Sequence, residues 1–327
     1  MKMIILVLLF LMLVIYGMNF KPDSQVLTLN KTIYLKGICA IEVMIGHIGL
    51  FTGAKVLFPF QKAGILIVGL FLFFSGYGLT ISYKKKGNEY LSTLRKRINT
   101  IIFPAFVSYC LYVVAELLIG NQFNIIVGFF QKTNWYVFEI IVIYFLFFIL
   151  LKKLNEKQVS KYLTILSIIF ILCGYFFNIS SPWYGSTMCF PLGMYYAQNE
   201  DNIIKYFDNH ISIIFILFFI VIGSIGVYFK LGTEYFVSNG IARNLAAASF
   251  CLFVVLLTTK INVGNKLSYF FGKISYEIYL VHLFILNILR DTKIQGTNMA
   301  ILTILITLVF AMMLHRLFIY IKEGEGK

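Results

Sequence analysis

Charged residues are scarce in this chain of 327 residues, of which only 13% are Asp, Glu, Lys or Arg. Hydrophobic residues make up 60% of the sequence, aromatic residues 17%, and the mean hydropathy is +0.85. A soluble protein with this composition would expose too much apolar surface to water, which excludes a soluble globular fold. The composition instead predicts an all-α, polytopic integral membrane protein.

The sequence also lacks cysteines arranged for disulfides or metal binding. The five cysteines mostly fall within apolar runs and show no CxxC or other ligand spacing: Cys39, Cys110, Cys173, Cys189 and Cys251. We interpret them as small buried residues and expect no metal site.

Acidic residues are half as numerous as basic ones, 14 against 28, so the formal net charge is +14. A strongly basic chain can indicate nucleic-acid binding, but these basic residues cluster in short loops between apolar runs. In a membrane protein such clusters report topology and contact with anionic lipid. We therefore expect a lipid bilayer as the partner of this charge and no nucleic acid.

Eleven apolar runs approach the length that a membrane span requires, about 20 residues. They lie at 3–19, 36–53, 62–83, 98–119, 135–151, 162–178, 182–198, 211–230, 241–259, 267–289 and 299–320. No clear small-residue cleavage site precedes Lys21, so we expect residues 1–20 to be an uncleaved transmembrane anchor. Residues 21–327 then form a single membrane domain of about ten helices, without a repeat, linker or soluble part.

The loops alternate in charge along the chain. Basic residues concentrate in 84–97, 152–161 and 260–266, whereas the loops 121–134 and 178–182 are nearly uncharged. The positive-inside rule places the basic loops and the C-terminus in the cytoplasm, and an odd number of spans then places the N-terminus outside.

Lys36 and His47 lie eleven residues apart in the second apolar run. Eleven residues are almost three helical turns, so the two side chains share a stripe and lie about 16 Å apart along the axis. A cation and an imidazole on one stripe are costly in hydrocarbon, which predicts a functional site. A hydrogen bond from His47 to a neighbouring helix is the alternative. Glu42, between them, favours function although it lies well round the helix from His47.

Two features at the predicted cytoplasmic side have alternative interpretations. The small residues in Ser75-Gly76-Tyr77-Gly78 either let two helices approach closely or open room for a cofactor arm, with the Tyr77 hydroxyl as a polar contact. The cluster Arg95-Lys96-Arg97, before Pro104, is either a topology signal or, with Lys36, a site for the phosphates of an anionic donor.

Polar and aromatic residues also occur toward the predicted outer side. Trp135 and Trp183 fall at predicted interfaces and are typical of an aromatic belt. Glu139 is a carboxylate inside a span, and Arg243 lies close enough to a span end to reach the interface. His282 closes a further polar stripe with Ser275 and Tyr279.

In this order the segments resemble the motifs of the acyltransferase-3 family, membrane-embedded enzymes that acylate sugars and envelope polymers in bacteria. Six segments carry the resemblance: Leu35–His47, Gly69–Tyr77, Arg95–Pro104, Trp135–Tyr136 with Tyr144, Phe190–Met194 and Ser275–His282. Three positions depart from the family pattern. Lys36 stands where Arg is most common, Thr100 where a second basic residue is common, and Glu42 where an apolar residue is usual.

The resemblance implies an O-acyltransferase, with acyl-CoA, most simply acetyl-CoA, as its donor. The donor phosphates would lie near Lys36, Arg95 and Arg97, and the acyl arm would pass the pair Ser75 and Tyr77. His47 would be the catalytic residue, as a general base or as a transient acyl carrier, with Glu42 as a second catalytic candidate.

The same resemblance implies a carbohydrate acceptor, such as a hydroxyl of a capsular or cell-surface polysaccharide or its lipid-linked precursor. The residues expected to contact it are Trp135, Glu139, Tyr276, His282 and Arg243. A composition rich in Lys, Asn and Ile is typical of a low-GC bacterium, which favours a multi-pass protein of the bacterial cytoplasmic membrane. A transporter or exporter of the same fold, and a sensor or inactive scaffold, are the alternatives. The oligomeric state is left open.

Overall fold

The protein is all-α, as the composition predicts, in a computed structural model that describes residues 2–19, 27–120, 135–232 and 234–324. The twelve α-helices of these described residues are α1 Lys2–Ile15, α2 Leu29–Thr52, α3 Phe58–Lys86, α4 Leu94–Ile119, α5 Trp135–Leu151, α6 Glu156–Phe176, α7 Cys189–Asn209, α8 Ile213–Leu231, α9 Arg243–Lys260, α10 Lys266–Lys273, α11 Ser275–Arg290 and α12 Gly296–Gly324.

Not every predicted apolar run forms a helix that is long enough to cross a membrane. Seven helical segments of the described chain are long and apolar enough to cross a membrane, or eight if the bent pair α10–α11 is one span. Helices α1 and α5 are apolar but have only 14 and 17 residues. At 1.5 Å per residue α1 extends about 21 Å, less than the ~30 Å hydrocarbon core. Helix α7 begins only at Cys189 and ends in a polar half.

The apolar run 267–289 is two helices rather than a single straight span. Helices α10 and α11 meet at 72°, and Ile274 between them leaves the helical region at φ −107°, ψ 16°. Gly272 explains how close α10 lies to α2, because a Cβ there would collide with the Ile33 carbonyl. The bend sends α11 along α2, and this path brings His282 to α2.

Helix α2 is the central helix of the bundle. It packs against α3, α10, α11 and α12, begins after the N-cap Thr28, and ends at Gly53 in the left-handed region. A helix surrounded by other helices can hold polar side chains without exposing them to lipid. Lys36 and His47 therefore point into protein rather than into hydrocarbon.

Helices α3 and α7 approach each other through paired glycines. A Cβ on Gly76 would collide with the Phe190 carbonyl, and a Cβ on Gly193 would collide with the Phe73 carbonyl. Close packing is therefore the role of Gly76. Gly78, two residues further on, faces open space instead, and room there for a cofactor arm remains a prediction.

Candidate active site

A polar cavity of about 860 Å³ opens at the basic end of the bundle, the end that carries Lys84–Lys86 and Arg95–Arg97. Its walls come from α2, α3, α4, α5 and α7. Four of the five residues predicted to bind the donor line it: Lys36, Ser75, Tyr77 and Arg97. The fifth, Arg95, is exposed and is not among the lining residues.

Three basic side chains, Lys36, Lys85 and Arg97, line one side of this cavity. Lys36 is half-buried, and within the described part of the chain no carboxylate or carbonyl pairs with its ammonium group. Arg97 stacks its guanidinium over the Tyr90 ring, 5.0 Å from the centroid, and Lys85 lines the same cavity. A half-buried cation without a protein partner favours an anionic ligand, because unpaired burial of a charge is costly.

Another part of the cavity wall is acidic, a feature that the sequence reasoning missed. The Tyr77 hydroxyl donates to Glu200 Oε2 at 2.9 Å, and Asp201 lines the cavity beside Glu200. Both acids follow Asn199, where α7 is interrupted by a non-helical residue at φ −126°, ψ 19°. Tyr77 is therefore part of an inter-helix hydrogen bond at the cavity, and its predicted contact with a donor remains a prediction.

His47 and His282 form a hydrogen-bonded pair deeper in the bundle. Nδ1 of His47 lies 2.9 Å from Nε2 of His282, and the ring centroids are 5.0 Å apart. Nδ1 of His282 lies 2.9 Å from the carbonyl of Ile278, one turn earlier in α11. His282 is completely buried and His47 is partly exposed. One ring of the pair is therefore held inside the protein and the other can be reached.

A path of polar and aromatic groups joins the cavity to the histidine pair. Ser75, on the cavity wall, contacts the hydroxyls of both Tyr136 and Tyr144. The Tyr136 ring meets the Tyr279 ring edge to face at 5.4 Å, and the Tyr279 ring lies 5.9 Å from that of His282. Residues from α3, α5 and α11 thus connect the basic end with the His47 region.

Two of the predicted acceptor residues lie on the far side of this path. The Trp135 ring is 6.1 Å from that of Trp183. Glu139 and Trp183 line a second cavity, apolar and of about 530 Å³, between α5, α6 and α7. The Glu139 carboxyl is buried in this cavity wall, and the Thr187 hydroxyl, which borders the same cavity, is its neighbouring polar group among the described residues.

Glu42, predicted as a second catalytic residue, lies elsewhere on α2. It lines a third, apolar cavity of about 370 Å³ bounded by residues of α1, α3 and α9. Its two carboxylate oxygens are buried without a hydrogen-bond partner among the residues that the structure describes. The contacts shown do not bring Glu42 to His47, and its catalytic role remains a prediction.

Tyr276 and Arg243 have contacts that hold helices and loops together. The Tyr276 hydroxyl donates to the Ile101 carbonyl of α4 at 2.8 Å. Arg243 Nη1 donates to Ser181 Oγ at 2.7 Å, and its guanidinium lies over the Tyr228 ring at 5.2 Å. Contact of either residue with an acceptor remains a prediction.

The fold and this site define a polytopic membrane protein with a polar cavity at its basic end and a hydrogen-bonded histidine pair deeper in the bundle. A family model described as an acyltransferase domain, that of the acyltransferase-3 family, matches residues 29–316. The chain therefore belongs to this family and is an acyltransferase. No curated protein and no solved structure matches the chain. The family match starts at the first residue of α2, and α1 lies outside it.

Metal ligands do not cluster in the described part of the chain, where no group of three or more His, Cys, Asp and Glu residues could hold a metal ion.

Proposed function

We propose that this acyltransferase moves an acetyl group from acetyl-CoA to a hydroxyl of a cell-surface or capsular polysaccharide, or of its lipid-linked precursor. The observation that carries the proposal is the polar cavity with the unpaired Lys36, which connects through Ser75 and two tyrosine rings to the His47–His282 pair. The basic end would face the cytoplasm of a bacterial cell, where acyl-CoA is made, in agreement with the positive-inside rule.

The donor would bind with its phosphates on the cationic wall. Lys36, Lys85 and Arg97 share the cavity, and phosphate oxygens accept charge-assisted hydrogen bonds from such groups. Arg95, exposed at the same end, would contact only a phosphate that lies outside the cavity. The thioester arm would extend past Ser75 toward His47, along the path of Tyr136 and Tyr279.

Acyl transfer then requires one proton carrier. His47 would take the proton of the acceptor hydroxyl as its oxygen forms a bond to the thioester carbonyl carbon. The carbon–sulfur bond breaks, His47 returns the proton to sulfur, and coenzyme A leaves as the thiol. A short-lived acyl-imidazole on His47 is the alternative route between the same reactants and products.

The acceptor would approach from the end opposite the basic loops. Trp135 and Trp183 lie in ring contact at that end, and aromatic faces suit the apolar faces of sugar rings. The buried Glu139 carboxyl, beside the Thr187 hydroxyl, would accept a hydrogen bond from an acceptor hydroxyl. An apolar cavity beside these residues also suits an acceptor that carries a lipid.

Transfer of labelled acetyl groups from acetyl-CoA in membrane vesicles tests the proposal. His47→Ala should abolish transfer without loss of the protein from the membrane, because no base remains to accept the hydroxyl proton. His210→Ala is the matched control, since the His210 side chain is exposed and its ring nitrogen bonds the Tyr206 carbonyl, one turn earlier in the chain. Wild-type transfer by the His47 variant would contradict the proposal, and substrate flux without acylation would indicate a transporter.

A further inference from the structure

The hydrogen bonds of the two histidines specify where their protons lie. A carbonyl oxygen only accepts, so Nδ1 of His282 must donate its proton to Ile278. A neutral imidazole has one proton, which leaves Nε2 of His282 as an acceptor. The proton between the rings must then belong to Nδ1 of His47, 2.9 Å away. Nε2 of His47 therefore carries no proton and has a free lone pair.

We infer that His282 is a positioning residue. Its Nε2 accepts a hydrogen bond from Nδ1 of His47, and this bond holds the His47 ring in the tautomer with a bare Nε2. The inference rests on the proposed function for the reaction that His47 catalyses. It assigns His282 a role different from acceptor binding. His282 is completely buried against α2, with its own tautomer set by the Ile278 carbonyl, so an acceptor would meet His47 first.

The tautomer matters because only a bare nitrogen can accept a proton or an acyl group. With the proton on Nε2, the lone pair of His47 would face His282 and the atom that can be reached would be a donor. In serine proteases, loss of the group that sets the histidine tautomer lowers kcat by about 10⁴. The Val43 carbonyl, one turn before His47, is a second acceptor near the ring, so we expect a smaller loss here.

Steady-state kinetics of two His282 variants test the inference. His282→Leu removes the acceptor while it keeps an apolar side chain in the buried position, and should lower kcat about 10- to 100-fold with the KM for acetyl-CoA unchanged. His282→Gln supplies an amide oxygen near the former Nε2 and should recover most of the lost kcat. His315→Leu is the control for loss of a membrane histidine, because His315 bonds Glu277 on another face of α11.

Nitrogen NMR provides a measurement that does not depend on activity. The chain has only 4 histidines, so histidine-selective ¹⁵N labelling in lipid, with His210→Gln and His315→Gln, leaves the signals of the pair alone. Both rings should show a protonated Nδ1 and a bare Nε2 at neutral pH. His282→Leu should convert the His47 signal to a mixture of tautomers, and His282→Gln should retain the single form.

Two results would overturn the inference: a protonated Nε2 on His47 in the unmutated pair, or an unchanged kcat in His282→Leu. Equal losses in the Leu and Gln variants would assign His282 a packing role and also contradict it. These outcomes are separate from a failure of the proposed function, which would appear as acetyl transfer by His47→Ala.

Discussion

At the scale of single residues, two arginines that lie close together in the sequence have different surroundings in the structure. Arg95 and Arg97 belong to one basic cluster, yet Arg97 lines the polar cavity and Arg95 is exposed outside it. A charge held in a cavity interacts more strongly with an anion than one surrounded by water. We therefore expect Arg97 to affect donor binding more strongly than Arg95.

Arg97→Ala should raise the KM for acetyl-CoA about tenfold or more, because one charge-assisted hydrogen bond contributes about 1.5–3 kcal/mol. Arg95→Ala should raise it much less. A donor titration of initial acetyl-transfer rates with both variants in the same lipid measures the difference. Equal KM values for the two variants would show that the cavity is not where the donor phosphates bind.

Lys36 offers a second comparison at this scale. Lys36→Gln removes the unpaired cation and should raise the KM for acetyl-CoA, whereas Lys36→Arg keeps a charge at the position where the family most often has Arg. Direct titration with coenzyme A, without acceptor, measures binding alone. Binding by the Gln variant that matches the unmutated protein would exclude a phosphate contact at Lys36.

At the scale of elements, α3 and α7 pack at a distance that only glycine permits, and residues of both helices line the polar cavity. Gly76 and Gly193 each lie against a carbonyl of the other helix. Their close contact places Tyr77 of α3 within hydrogen-bond distance of Glu200 on α7. The acidic wall of the cavity is thus a consequence of helix packing.

Gly76→Ala should destabilise the protein by about 1–3 kcal/mol, because the added methyl group must displace backbone rather than a flexible side chain. Gly78→Ala, two residues further along the same helix, meets open space and should leave stability unchanged or slightly raised. Unfolding in detergent, followed by circular dichroism, compares the two. Similar stabilities would contradict the packing described for α3 and α7.

At the scale of the whole molecule, the basic loops and the polar cavity lie at one end and the tryptophan pair at the other. If the donor is cytoplasmic, the end with the basic loops and the polar cavity must face the cytoplasm. Helix α1 lies outside the family match and packs on α2 and α10, where it borders the Glu42 cavity. Whether residues 1–20 anchor the chain remains a prediction.

Orientation can be measured with cysteines placed at the two ends. Lys153 follows α5 at the basic end and Ser180 follows α6 at the opposite end, and both are exposed. With a membrane-impermeant maleimide on intact cells, Ser180→Cys should be labelled and Lys153→Cys should not be labelled until the cells are opened. The five native cysteines provide the background in the unmutated protein. The reverse labelling pattern would contradict a cytoplasmic donor site.

The sequence by itself determined the all-α membrane fold, because so few charges and such long apolar runs leave helices as the stable solution in lipid. It also placed Lys36 and His47 on one stripe of α2, since helical periodicity is local. The family motifs selected the residues proposed to bind the donor, and four of those five line one cavity because their helices meet at one end of the bundle.

Only the tertiary structure decided which polar groups meet. The bond between His47 and His282 joins residues 235 positions apart, and the bond between Tyr77 and Glu200 joins residues 123 apart. Such contacts depend on how each helix is rotated and how closely it packs against its neighbours. Both are set by side chains distant in sequence, such as the glycines of α3, α7 and α10. For the same reason Glu42, between Lys36 and His47 in the chain, lies in a different cavity.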